Sequence, residues 1–120
     1  MAGSHRIERL NEMFRRELAG LLLAGINDPR VMGATVTEVR VTRDLSYATV
    51  FVRLDGTKDP DGARAGLARA SGFIRRELGR SLRLRKMPEL RFEPDETLER
   101  AGRIEELLRQ VRESDGRSDA

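Results

Sequence analysis

Two short segments of alternating apolar and polar residues, joined by only four residues, constrain the fold of this chain more than any other feature. The segments are residues 34–42 and 47–54, and the link is Arg43-Asp44-Leu45-Ser46. Alternation with a period of two is typical of half-buried strands, and so short a link predicts an antiparallel hairpin. One face of the first strand is expected to carry its alternate residues: Thr35, Thr37, Val39 and Val41. The inward face of the second is expected to carry Ala48, Val50, Val52 and Leu54.

Two aromatic rings, Tyr47 and Phe51, fall on the outward face of the second predicted strand, beside Thr49 and Arg53. Aromatic rings on an open sheet face can stack nucleic-acid bases. Such rings are more often covered by a helix or scattered on the surface, and the sequence favours that second interpretation.

Helices are predicted on both sides of the hairpin. Residues 4–24 carry apolar side chains at steps of three and four, and Gly25 suits the left-handed position that ends a helix. After the hairpin, Asp59-Pro60 begins a helix that reaches about Ala70, and a second helix runs from Phe73 to about Leu84. The small residues Ala70-Ser71-Gly72 predict a sharp kink between the two.

The last part of the chain predicts a third strand over residues 89–93 and a final helix ending near Val111. Residues 113–120 have no apolar pattern and are expected to be disordered, so one domain over residues 1–112 is predicted. A three-stranded sheet packed on helices is the simple two-layer solution for this order, and the class is α+β. The order α-β-β-α-kink-α-β is that of a type II KH domain, an RNA-binding architecture. Its usual Gly-x-x-Gly loop is replaced here by Ala70-Ser71-Gly72.

Positive charge is concentrated in one quarter of the chain. The net charge is +3, but nine basic and only two acidic residues lie between Gly62 and Arg91. Arg76, Arg80 and Arg83 fall within about 60° of one another on the predicted helix, on a face expected to be free of carboxylates. We call these three residues the basic stripe. Acid-free stripes of this kind indicate phosphate contacts, whereas a solvated face normally mixes both signs.

The predicted RNA-binding set extends beyond the basic stripe. Arg85 and Lys86 continue the charge past the helix end, Arg75 adjoins it, and Ser71 and Gly72 lie where a phosphate can approach the backbone closely.

The chain contains few residues that are candidates for catalytic groups or metal ligands. There is no Cys, the single His is His5, and no Walker loop or metal-protease motif is present. Asp28, Asp44 and Asp55 lie near strand ends where a metal can bind, but Asp28 and Asp44 are expected to cap turns instead. The sequence therefore predicts no catalytic residue, metal, cofactor or small-molecule substrate, and no apolar run is long enough to cross a membrane.

Three stretches resemble the ribosome-binding factor A family of bacterial small-subunit assembly factors. They are INDPRVMGATVTEVRVTRDLSYATVFV, ASGFIRRELGRSLRLRKMPELRF and DETLERAGRIEELLRQV, and the resemblance spans about residues 6–111. It implies a non-catalytic, cytoplasmic monomer that binds free small (30S) subunits and 16S rRNA in late maturation. It also implies support for processing of the 5′ end of that rRNA and a link to growth in the cold. The alternative from the residues alone is a protein-interaction module whose basic stripe meets an acidic partner.

Overall fold

The computed structural model describes residues 2–24, 26 and 28–118. Its elements in chain order are helix α1 (Ala2–Ala24), a 3-10 turn (Pro29–Val31), strands β1 (Thr35–Val41) and β2 (Tyr47–Arg53), helix α2 (Pro60–Leu82), strand β3 (Glu89–Pro94) and helix α3 (Thr97–Ser118). The predicted helix end at Gly25 lies outside the described residues. The predicted α+β class is confirmed.

The three strands form one mixed sheet in the order β1-β2-β3. Strands β1 and β2 are antiparallel, which confirms the predicted hairpin, and β3 pairs with β2 in parallel. Helices α1 and α2 supply the large fully buried side chains Phe14, Leu18, Leu67, Ile74 and Leu78. Each such side chain stabilises the fold by roughly 1.5–3 kcal/mol. The core therefore lies between the two helices and one face of the sheet.

A β-bulge changes the predicted facing of the first strand. The pairing with β2 shifts between Val36 and Glu38, so Val36 is buried and Thr35 is exposed. The expectation that Thr35 shares the inward face is wrong, because one extra residue in a bulge reverses the alternation before it. Beyond the bulge, Val39 and Val41 point inward as predicted.

Helix α2 runs through the predicted kink without a break. Ala70, Ser71 and Gly72 are all helical, and the two predicted helices are one helix of 23 residues. The predicted division into two helices is wrong, because Leu67, Ile74 and Leu78 fall on one side of a continuous helix and burying that side favours helix throughout the segment. Gly72 is exposed, and a Cβ built on it meets nothing within 4 Å.

Gly66 is the position in α2 where the 3-10 turn comes so close to the helix that a glycine is required. It is buried against the 3-10 turn, and a Cβ there would lie 3.0 Å from Val31 Cγ1 and 3.1 Å from Asp28 Oδ2. Asp28 Oδ1 accepts the N–H of Arg30 at 3.0 Å, so the aspartate caps the turn as predicted. The segment before β1 is thus fastened to α2 at Gly66.

Alanine at these two glycines is expected to have different effects. Gly72→Ala should raise the free energy of unfolding by about 0.5–1 kcal/mol, because alanine is the better helix former and the site is open. Gly66→Ala gains the same propensity but crowds Val31 and Asp28, so its unfolding free energy should lie below that of Gly72→Ala by about 1–3 kcal/mol. Urea denaturation of both variants measures the difference. Equal values would show that the 3-10 turn moves away from α2 at no cost.

Helix α3 extends farther than its apolar pattern. It continues to Ser118 instead of ending near Val111. Extending an existing helix adds one hydrogen bond per residue, so a helix can continue past its last apolar residue. Asp95 anchors its start, because its carboxylate accepts the Thr97 N–H at 3.0 Å and the Thr37 hydroxyl at 2.6 Å. Over the part of the chain that the structure describes, no helix combines the length and hydropathy that a membrane crossing needs.

Candidate nucleic-acid interface

The basic stripe lies at the C-terminal end of α2. Arg76 and Arg80 are exposed, on the opposite side of the helix from the buried Ile74 and Leu78. Helix α2 ends at Leu82, two residues before the predicted end, and Arg83 is its C-cap. The cap residue is left-handed, with φ of 51°, and its N–H donates to Gly79 O at 3.1 Å. Arg83 therefore projects from the helix end rather than from the helical face.

One carboxylate adjoins the basic stripe, contrary to expectation. Glu77 Oε1 lies 3.5 Å from Arg80 Nη1 in an i, i+3 pair. The Arg80 side chain is 79% exposed, and ion pairs in such positions contribute at most about 1 kcal/mol. The guanidinium can therefore leave Glu77 for a phosphate at little cost. The Arg76 side chain makes no hydrogen bond or ion pair with any residue that the structure describes.

Arg75 is turned away from the basic stripe and braces the connection to β3. Its Nε donates to Pro88 O at 3.1 Å and its Nη2 donates to Met87 O at 3.0 Å. Pro88 is fully buried, so these bonds tie the connection to the side of α2. Arg75 therefore holds the segment that carries Arg85 and Lys86 in place, and its guanidinium is not free to bind a phosphate.

Arg85 and Lys86 lie exposed in that connection, next to the hairpin link. The Glu89 N–H donates to Ser46 O at 2.9 Å, which holds the two loops together. The pKa of Asp44 is lowered to about 2, chiefly because the Thr42 hydroxyl and the Ser46 N–H donate to its carboxylate. The positive charge of Lys86 makes a smaller contribution to the lowered pKa of Asp44. The Ser46 bond also confirms that Asp44 caps a turn.

Ser71 and Gly72 are not brought together at this surface. Ser71 is half-buried, about 140° around α2 from Arg76 by helical geometry. Gly72 is exposed and borders the face that carries Arg76, with open space above it. Of the predicted set, the arginines of the basic stripe, Arg85 and Lys86 lie toward the C-terminal end of α2. Gly72 lies near the middle of the helix, on the side of Arg76, whereas Ser71 and Arg75 lie on other sides of the helix.

The outward face of the sheet carries both positive and negative side chains, and an arginine lies over each of its two aromatic rings. The guanidinium carbon of Arg91 lies 3.8 Å from the centre of the Tyr47 ring, and that of Arg40 lies 5.5 Å from the centre of the Phe51 ring. Arg40 also pairs with Glu38 at 2.9 Å. No helix among the described residues covers these rings, so they lie on the surface as half-exposed aromatics. Sequence reasoning missed the stacked arginines, which only the register of β1, β2 and β3 reveals.

The comparison with known proteins agrees with this geometry. The sequence model described as Ribosome-binding factor A matches residues 6–108. The chain belongs to the ribosome-binding factor A family. Ribosome-binding factor A of Lacticaseibacillus casei strain BL23 is 43% identical over 110 residues, which are 90% of this chain and 94% of that protein. The resemblance noted in the sequence is thereby confirmed.

Solved structures of ribosome-binding factor A share the fold. The crystal structure of the Thermus thermophilus protein superimposes with a TM-score of 0.68 at 33% identity, over 73% of this chain and 93% of that one. A homology model of the Thermus thermophilus factor, fitted into a cryo-EM map of its 30S complex, gives a TM-score of 0.60 at 32% identity. That alignment covers 72% of this chain and 91% of the other.

Proposed function

We propose that this chain is a non-catalytic assembly factor that binds free small ribosomal subunits through 16S rRNA. The observation that carries the proposal is the exposed cationic end of α2, formed by Arg76, Arg80, Arg83, Arg85 and Lys86, in a chain of the ribosome-binding factor A family. Arginine guanidinium groups bind phosphate in planar, two-pronged contacts, and such contacts provide most of the affinity for RNA. The 30S complex of the Thermus thermophilus relative supports the choice of partner.

We propose a finer role as well, which the family resemblance supports. The factor acts as a cytoplasmic monomer in late maturation, without a cofactor, and supports processing of the 5′ end of 16S rRNA, above all during growth in the cold. The relatives are named for binding a ribosome and not for a reaction, which supports a role without catalysis. Primer extension on 16S rRNA from cells depleted of the factor tests the processing step, and accumulation of 5′-extended precursor is the expected result.

Sedimentation of a tagged chain in a cell lysate tests the partner. The protein should appear in the free small-subunit fraction and be depleted from whole ribosomes, because an assembly factor must leave before the subunits join. Equal recovery in both fractions, or a protein found only at the top of the gradient, would contradict the proposal. Ribonuclease treatment separates RNA binding from the alternative of an acidic protein partner, since only an RNA-dependent complex is lost.

A further inference from the structure

An exposed phenylalanine lies in the middle of the cationic face of α2. By helical geometry Arg69, Phe73, Arg76 and Arg80 fall within about 60° of one another. Arg69 lies about 6 Å from Phe73 along the helix axis and Arg76 about 4.5 Å on its other side. Phe73 thus lies between two arginine residues along one line of the helix.

Phe73 differs from the other aromatic residues in its surroundings. It is 42% exposed, whereas Phe14 and Phe92 are buried in the core. Tyr47 and Phe51 each have an arginine over the ring, but no arginine of the described residues stacks on Phe73 in this way. The neighbouring Gly72 adds no side chain above the helix, so the approach to the ring is open.

We propose that Phe73 is a stacking platform for an unpaired RNA base, with Arg69, Arg76 and Arg80 holding the adjoining phosphates. The inference rests on the proposed function and specifies its ligand as a single-stranded segment of RNA. An aromatic ring among arginines matches the two chemical features of single-stranded RNA, a backbone of phosphates and bases with free π-faces. A duplex keeps its bases stacked inside and offers only the phosphates to this surface.

A tryptophan at position 73 reports directly on stacking, because the chain contains no Trp. The emission of Phe73→Trp should be quenched by a single-stranded 12-nucleotide oligoadenylate. It should be unchanged by an RNA duplex of the same length and by inorganic polyphosphate, which reach only the arginines. Tyr47→Trp, on the outward face of the sheet, is the matched control and should not be quenched. Quenching of both tryptophans alike, or of neither, would overturn the inference.

Phe73→Leu removes the π-face and keeps an apolar side chain of similar size. Its affinity for the single-stranded oligonucleotide should fall roughly 5- to 100-fold, the range measured when a stacking aromatic is lost. Its affinity for the duplex should change less than twofold, and Phe73→Tyr should bind the single strand like the wild type. Circular dichroism checks that each variant is folded.

The outcomes separate this inference from the proposed function. If Phe73→Leu binds the oligonucleotide as well as the wild type does, the stacking role is wrong, although sedimentation with small subunits still supports the function. If Phe73→Leu leaves the small-subunit fraction but keeps its oligonucleotide affinity, Phe73 contacts a ribosomal protein and the inference is again wrong. If the wild-type chain binds the oligonucleotide but not small subunits, the proposed function fails and the stacking site stands.

Discussion

Replacement of Arg76, Arg80 and Arg83 by glutamine is expected to weaken binding to small-subunit rRNA and to make that binding less sensitive to salt. Each phosphate neutralised by the protein releases condensed counterions, so the binding constant falls as a power of the salt concentration. The exponent for single-stranded RNA is roughly −0.7 per contact, and the loss of three contacts should make it less negative by about 2. Titrations of labelled rRNA at several salt concentrations measure this exponent.

The same variant should unfold at nearly the wild-type urea concentration. Glutamine keeps the helix propensity and much of the aliphatic stem, and the ion pair lost between Arg80 and Glu77 is exposed. Replacement of Arg6, Arg9 and Arg16 by glutamine is the matched control, since it removes three exposed charges from α1. If the two triple variants lose affinity and salt dependence equally, binding reflects net charge alone and the basic stripe is not the site.

The hairpin and the third strand were predictable because a period of two is a local property of the sequence. Residues 47–54 alternate without interruption, and the structure buries Ala48, Val50, Val52 and Leu54 as expected. The bulge between Val36 and Glu38 was not predictable, because it depends on the register with β2. A strand read by itself contains no information about which partner residue faces it.

The division of α2 into two helices was mispredicted because small residues allow two structures. Ala70, Ser71 and Gly72 suit a helix junction, but they are also tolerated inside a helix when its two halves bury one continuous side. Leu67 and Ile74 are fully buried on either side of the segment, and this shared burial decides for the continuous helix. Tertiary packing therefore overrides the local signal.

The shared face of Arg76 and Arg80 could be predicted from residue spacing, whereas the position of Arg83 past the helix end and the roles of the neighbouring residues could not. Arg75 bonds to Met87 and Pro88 because the chain turns after α2 and brings β3 back alongside the helix. These partners are 12 and 13 positions away in the sequence, so spacing on the helix does not indicate them. Phe73 is exposed because neither the 3-10 turn nor the sheet covers its side of α2. The sequence supplies the charges on a helix, and the packing of other elements decides which of them remain free for a ligand.

Gly33→Ala is expected to destabilise the fold more than any other alanine substitution of a glycine in the described residues. Gly33 has φ of 92°, a left-handed value that an L side chain adopts at a cost of about 1–2 kcal/mol. A Cβ on Gly33 would also overlap the carbonyl oxygen of Gly56, since the turn before β1 lies directly against the turn after β2. Backbone cannot rotate aside as a side chain does, and such overpacking costs a further 1–3 kcal/mol, about 2–5 kcal/mol in all.

Urea denaturation of Gly33→Ala should therefore show an unfolding free energy about 2–5 kcal/mol below that of the wild type, a large part of the roughly 5–15 kcal/mol typical of a domain. Gly20→Ala in α1 is the control, because a Cβ there meets nothing within 4 Å and the substitution should be neutral or stabilising. Below its unfolding transition, Gly33→Ala should bind rRNA as the wild type does, because Gly33 is not part of the basic stripe. A variant as stable as the wild type would mean that the two turns separate and that the backbone at residue 33 leaves its left-handed conformation, both at no cost, which would contradict the prediction.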